Sequence, residues 1–395
     1  LRGCFTPICF HMRRETAPFL SKVKRFEKLK GLVHLASWKR VCILAGSYLG
    51  FMIGTGVATG QEILQYYTAN GWMIFGTAVV IAIIFIVANY GFALAGRDHN
   101  ATSGQQAFIF YNGTFLGKAF DWFTVFFCYL SYCVMVAGGA ATLQQQYGLP
   151  VYVGAAIVAV LAGGSVALGL GKLVDIIGRI TPALLFAIVG MVFVHLVQHI
   201  DTLAANADLI SSGQLEMTRV GSNWFMSGMS NGGYSILMLA NFSAVLGARE
   251  DFKTLFRANV LSTVLLVVLN TIIGLSIMSR ITDLYQVQIP NLVIVASLSP
   301  GLTTIFGVLI FVAVYTTACP LLWTAVARTG EEGSAKYKMW ALGLAAIGFF
   351  FGMFVPYHMM LNYVYGLNGY IGFIVMALMS IKLIRMKFFS KGSES

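Results

Sequence analysis

An all-α integral membrane protein is the fold class this sequence predicts, and three observations predict it. Hydrophobic residues make up 58% of the 395 and charged ones 10%, with a mean hydropathy of +0.78, far from the balance of a water-soluble domain. The apolar runs reach about 20 residues, enough to cross a bilayer as helices. They lack the even alternation of outer-membrane strands, so a barrel does not fit.

In chain order, residues 1–40 are polar and basic without the charged, apolar, small-residue order of a cleaved leader. They read as a cytoplasmic tail, with Met12 as an alternative start. Ten spans follow, at 41–67, 72–96, 119–146, 151–171, 178–199, 223–247, 255–279, 300–328, 337–355 and 361–385. Connections between them are too short for a soluble domain. Spans 1 to 5 form a first five-helix repeat (41–199), 200–222 an extracellular loop, 223–385 a second five-helix repeat and 386–395 a cytoplasmic C-terminal tail.

The net charge of +11 is an orientation signal. With the N-terminus inside, all of the 26 basic residues except Arg219 and Arg280 fall in inner segments, giving cytoplasmic N- and C-termini. That pattern argues against a nucleic-acid partner. The cysteines at 4, 9, 42, 128, 133 and 319 lie in the tail or in spans, with no paired spacing that would staple a loop. The sequons at Asn100 and Asn112 fall in an expected inner loop and say nothing of glycosylation.

Ten spans divide into two fives that cross in opposite senses, so related halves are inverted repeats. Span 1 contains Gly54-Thr55-Gly56 and span 6 contains Ser230-Asn231-Gly232-Gly233-Tyr234-Ser235. Interrupted helices at matching places point to a midplane binding site, because unwound backbone must find partners; the competing reading is that such glycines only let helices pack closely.

The stretch GFMIGTGVATGQEILQYY (50–67), a second span ending in Arg97, and VYGLNGYIGFI (364–374) resemble the YkvI group of bacterial membrane proteins. That group is placed with the amino-acid permeases of the amino-acid, polyamine and organocation superfamily, which has the LeuT fold. The resemblance implies discontinuous spans 1 and 6, a bacterial plasma membrane, and a sodium ion between span 1 and span 8. Its ligands would be the carbonyls of Gly50, Ile53 and Ala313 and the hydroxyls of Thr316 and Thr317, from the patterns Gly50 to Gly56 and Ala313 to Thr317. Five neutral oxygens suit a hard cation that must later be released. Adjacent threonines also bond back to carbonyls one turn earlier, which is the competing reading. The second sodium site of some relatives needs an asparagine where this chain has Val57, so that site is expected to be absent. Proton-coupled relatives place a lysine in span 5, and 178–199 holds none, which favours sodium as the coupling ion over a proton-coupled alternative.

For the solute, Gly54, Thr55, Gly56, Thr59, Glu62, Tyr132, Asn231, Gly233, Tyr234 and Ser235 are the candidate contacts. Glu62 stands about 9 Å beyond the span 1 break on a face with Thr59 and Tyr66, where a carboxylate costs a few kcal/mol unless paired or protonated. It reads as a hydrogen-bond acceptor for broken backbone in span 6, as the seat of a solute ammonium, or as a proton carrier. A solute carboxylate would meet free amides beside Gly56 and Gly233. Tyr129, Tyr132 and Met135 share a face of span 3 that either lines the cavity or packs. His195 and His199 read as interfacial, with no glutamate between them for a zinc-protease pattern. Asp121, Asp175 and Arg179, with Arg249, Glu250 and Asp251, read as helix-end anchors or an inner gate.

A sodium-coupled secondary transporter of a small organic solute, an amino acid or related amine, is therefore the leading expectation, with no enzymatic cofactor. A channel lacks a continuous polar stripe or filter, and an enzyme lacks a triad, a zinc set or a carboxylate pair. A solute sensor on the same fold is the remaining alternative.

Overall fold

A computed structural model describes residues 38–50, 52, 55–99, 101, 103–168 and 187–389, with backbone alone at 55, 300 and 387–389. Among these residues there is no strand. Helix α1 (38–50) opens the chain, followed by α2 (Thr55–Thr59) and α3 (Gln61–Tyr66), which together make span 1. A 3-10 turn leads into α4 (Ile74–His99). Then come α5 (Gly104–Tyr147), α6 (Val151–Leu168), and α7 (Ala187–Gln198), the last bent by 68° against Ile200–Ser211, which ends in the short helix α8 (Leu203–Ser211). The second half holds α9 (Trp224–Arg249), α10 (Phe252–Met278), the short α11 (Ile281–Leu284) and α12 (Pro290–Leu298), and then α13 (Pro300–Val326), α14 (Ala335–Phe354) and α15 (Tyr357–Phe389).

Local sequence sets where these helices start. Ser103, Asn223, Asp251 and Ser334 each accept a hydrogen bond from the backbone N–H three residues on, which satisfies a donor that no helical carbonyl can reach. Asp251, in the connection before α10, takes bonds from both the amide and the hydroxyl of Thr254, and these hold its carboxyl below the usual range. Gly113 (φ 75°) divides α5 into a lead-in turned aside and the span proper.

Among the described residues seven helices are long and apolar enough to cross a membrane. The three other expected spans differ for separate reasons. Span 1 is cut into pieces, and span 5 lies partly outside the described residues. Helix α9 is long enough but carries Asn231, Ser227, Ser230, Ser235, Asn241 and Ser243. Most of these polar groups are buried against protein, which is where such groups belong in a membrane helix.

The expected interruption of span 6 does not occur. Helix α9 continues through Ser230 to Ser235, and its glycines serve close packing. A Cβ on Gly232 would come within 2.8 Å of the Ile84 side chain on α4, and one on Gly233 within 2.0 Å of the Gly369 carbonyl on α15. Gly247 meets the Ala93 carbonyl in the same way at 2.1 Å. Helix α9 is thus pressed between α4 and α15 with backbone against backbone, the small-residue mode of membrane helix packing.

At one end of the molecule, Arg40 of α1 pairs with Glu250 after α9 (Nε to Oε2 3.0 Å). Arg328, just after α13, lies 3.1 Å from both oxygens of Asp121 on α5, and Gln105 donates to the same carboxylate at 3.0 Å. Asp175 and Arg179 lie outside the described residues.

Candidate functional site

Span 1 turns at Gly60, whose φ of 81° is a left-handed conformation that a side chain would strain. The turn ends α2 and leaves its last carbonyls without helical partners. Asn291, fully buried at the start of α12, supplies them: its Nδ2 donates to Val57 O (3.0 Å) and Ala58 O (3.2 Å). Its Oδ1 lies only 2.5 Å from where a Gly60 Cβ would be. The break was expected at Gly54 to Gly56. Gly54 lies outside the described residues, Gly56 is helical in α2, and the turn that the structure describes is four residues further on.

Beyond that turn α3 sends Glu62 back toward α2. A Cβ on Gly56 would stand 1.9 Å from Glu62 Oε2, so the glycine leaves the space the carboxylate fills. Oε1 accepts from Asn231 Nδ2 at 3.0 Å and from the Tyr234 hydroxyl, both on α9. Asn231 also donates to Tyr234 Oη at 3.3 Å. Glu62 therefore meets side chains of an intact helix, and the expected contact with broken backbone in span 6 is corrected. No ion pair with Glu62 occurs among the described residues.

Aromatic rings close around this carboxylate. Tyr234 stacks on Tyr365 with centroids 4.6 Å apart, Phe127 stands edge-on to both at 6.2 and 6.0 Å, and Tyr66 lies 6.0 Å from Tyr234. The hydroxyls of Tyr66 and of Ser131, one turn along α5 from Phe127, are buried next to Ser230 and Tyr365 without a hydrogen bond of normal geometry. Thr59 Oγ1 bonds to Tyr357 Oη at 3.1 Å.

A cover lies over α3. Gln65 donates to His358 O (2.9 Å) and accepts from Asn362 (3.3 Å), and the Tyr357 amide donates to Gln288 Oε1 (3.1 Å). Gln145 of α5 exchanges two bonds with Ile289. These contacts tie the 288–291 connection to spans 1, 3 and 10 together.

The remaining sequence candidates are placed as follows. Tyr132 packs on α14, where a Cβ on Gly348 would reach its ring at 2.4 Å, and Tyr129 donates to Leu344 O at 3.1 Å. Tyr132 as a cavity wall is thus corrected to packing. Ser235 bonds back to Asn231 O at 2.8 Å, and Gly233 faces α15, offering no free amide to a carboxylate. Thr316 and Thr317 both donate to Ala313 O, at 3.0 and 2.8 Å, the back-bonding habit of helical threonine. Gly50 is helical; Ile53 and Gly54, and the Thr55 side chain, lie outside the described residues. His195 is buried and bonds Ser276 at 2.9 Å, with its ring stacked on His199, so it packs inside the protein instead of lying at the interface.

Phe127, Tyr357, Tyr365 and Asn291 were not singled out from sequence. Tyr365 sits inside the VYGLNGYIGFI motif, and Pro290 is a helix-start signal that places Asn291 in the first turn of a helix. Phe127 carries no signal, since one aromatic in an apolar span looks like any other.

This architecture is a multi-pass helical bundle with a broken first span packed around a buried carboxylate. It matches MhsT in complex with L-phenylalanine with a TM-score of 0.58 and 14% identity, covering 86% of this chain and 88% of that one. It also matches an inward-facing Mhp1 with a TM-score of 0.52 and 14% identity, covering 86% and 75%. The chain has the LeuT fold. In sequence it is similar to the uncharacterized membrane protein YkvI of Bacillus subtilis (strain 168), 30% identical over 111 residues, and to protein YyaD of the same organism, 32% over 114. These matches cover 28% and 29% of this chain and 32% of each relative. No family model matches.

Proposed function

We propose that this protein is a secondary transporter that carries a small organic solute by alternating access, with its site at Glu62, Asn231 and Tyr234. The observation that carries the reading is the turn at Gly60. It interrupts a membrane span and holds a carboxylate in a buried polar cluster, beneath a cover hydrogen-bonded to the spans on either side. A structural anchor would avoid each of these features, whereas a transporter needs a midplane site and a closable entrance.

The finer readings follow from the fold. Halves 41–199 and 223–385 act as the inverted repeats, both termini face the cytoplasm, and the membrane is a bacterial plasma membrane. The solute is an amino acid or related amine, a reading to which the L-phenylalanine complex of MhsT lends support. Sodium is the coupling ion, held by Gly50, Ile53, Ala313, Thr316 and Thr317. A proton-coupled version has one observation in its favour, the lack of any basic partner for Glu62 among the described residues.

The test is uptake into proteoliposomes after a thermal-shift screen of amino acids, amines, nucleobases and vitamins, each with and without sodium. A ligand at a hundred times its dissociation constant stabilises by about 2.7 kcal/mol, enough to stand out. Uptake that follows a sodium gradient supports the reading. Solutes that bind but never accumulate would leave a sensor.

A further inference from the structure

The elbow that follows span 5 is built around two imidazoles. Helix α7 ends at Gln198, and the chain bends by 68° into Ile200–Ser211. His195 and His199, one helical turn apart, stand just before that bend with their rings stacked, 4.4 Å between centroids and 25° between planes. His199 Nδ1 donates to His195 O at 3.0 Å, and His195 Nδ1 bonds Ser276 Oγ of α10 at 2.9 Å. His195 is fully buried and its Nε2 has no partner, whereas His199 is partly exposed. Solvent protons therefore reach the pair through His199.

Both arms of the elbow are fastened to the last turn of α10. Besides the bond from His195 to Ser276, Thr202 Oγ1 and Asn206 Nδ2 each donate to Ser279 O at 2.7 Å, and Ser279 Oγ donates to Ser276 O at 2.8 Å. That turn leads through Arg280 into α11 and α12, the helix that carries Asn291. The elbow thus supports the root of the cover.

No anion stands ready for a charged ring. On α10 the nearest ionised group is Arg280, whose positive charge acts on His195 and which already pairs with Asp283 of α11 (Nε to Oδ2 3.0 Å). Asp201 and Asp208, on the arm beyond the bend, are exposed, and neither forms an ion pair among the described residues. The 3-10 turn Thr68–Met73, which packs on α8, holds no titratable side chain.

We propose that His195 and His199 form a proton-operated latch, which keeps the elbow closed on α10 while both rings are neutral and opens when the pair takes up a proton. A proton on His199 lies against a second imidazole, and one on His195 is buried with only Arg280 beside it, so either charge is better solvated with the elbow open. Acid therefore loosens the end of α10 and the root of the cover, and neutral pH restores them. The latch does not depend on what the protein carries. A ring that binds its proton only in the open elbow, at the ordinary histidine value of about 6.5, shifts the equilibrium about tenfold toward open from about pH 7.5 to about pH 5.5.

The experiment is hydrogen exchange by mass spectrometry on purified full-length protein in lipid nanodiscs at these two pH values, with rates corrected for the intrinsic effect of pH. Amides of 199–211 and 272–284 should exchange about tenfold faster at the acid pH, while those of α5 and α13 stay level. His195→Asn keeps a partner for Ser276 and His199→Phe keeps a ring for the stack, and neither replacement takes up a proton. Together they should cut the acid response to about twofold or less, and each alone should lessen it, which serves if the double variant folds poorly. Asn206→Ala removes a bond to Ser279 without touching a titrating group, so it should speed exchange at both pH values and keep the acid response. A wild type with no acid response, a response retained in full when the imidazoles are replaced, or one abolished by Asn206→Ala would overturn the latch.

Discussion

Gly56 and Glu62 show how a single missing side chain places a charged one. An alanine Cβ at 56 would overlap Oε2, so Gly56→Ala must push the carboxylate off Asn231 and Tyr234. We expect solute binding to be lost while the protein still purifies as a monodisperse species, checked by thermal shift with and without solute. The threonine pair makes a second test. Thr316 and Thr317 already bond to Ala313 O, so replacing both with alanine removes two modest hydrogen bonds of about 1 kcal/mol each from α13. If their oxygens also hold sodium, the same change abolishes sodium-induced stabilisation, and equal stabilisation of wild type and double variant rejects the site. The importance of Glu62 was legible in the sequence because a carboxylate in an apolar span needs a reason. Its partners were legible only in part. Asn231 and Tyr234 stood out beside glycines, whereas Phe127 and Tyr365 look in sequence like ordinary span residues.

Among elements, span 1 and α9 exchange the roles that their glycines suggest. Glycine has two uses, permitting left-handed backbone and permitting close approach, and sequence alone does not separate them. In span 1 the first use is realised at Gly60; in α9 the second is realised at Gly228, Gly232, Gly233 and Gly247. Outside 169–186, which the structure does not describe, the spans lie close to where the apolar runs put them, but whether a span bends depends on what lies against it. Asn291 is the partner that keeps span 1 bent. Asn291→Leu leaves the Val57 and Ala58 carbonyls unpaired at a cost of about 1–3 kcal/mol, which favours lifting of α12 from α2. A cysteine at Gln65 should then react faster with a membrane-impermeant maleimide than in the parent. An unchanged rate would show that the cover does not depend on this cap.

In the whole molecule, two of the ion pairs among the described residues join elements that are distant in sequence. Arg40–Glu250 fastens the start of α1 to the connection after α9, and Arg328–Asp121 joins the segment after α13 to α5. Arg40 is half exposed, so solvent screens its pair with Glu250. Arg40→Glu should favour the state in which α1 swings away, seen as faster labelling of Cys42, and adding Glu250→Arg should slow it again. Labelling that ignores the second substitution would separate α1 from this contact.

The seams along α9 carry a consequence for which substitutions a living cell would tolerate. Where Gly233 and Gly247 lie against the carbonyls of Gly369 and Ala93, no larger residue fits, since the obstacle is backbone and cannot rotate aside. In a saturation library these positions should be emptied by a screen for membrane-inserted protein alone. At Gly56 the obstacle is a side-chain end, so replacements should survive that screen and vanish only under selection for the proposed transport activity. The two kinds of glycine, indistinguishable in the sequence, would then be sorted by the fitness they cost.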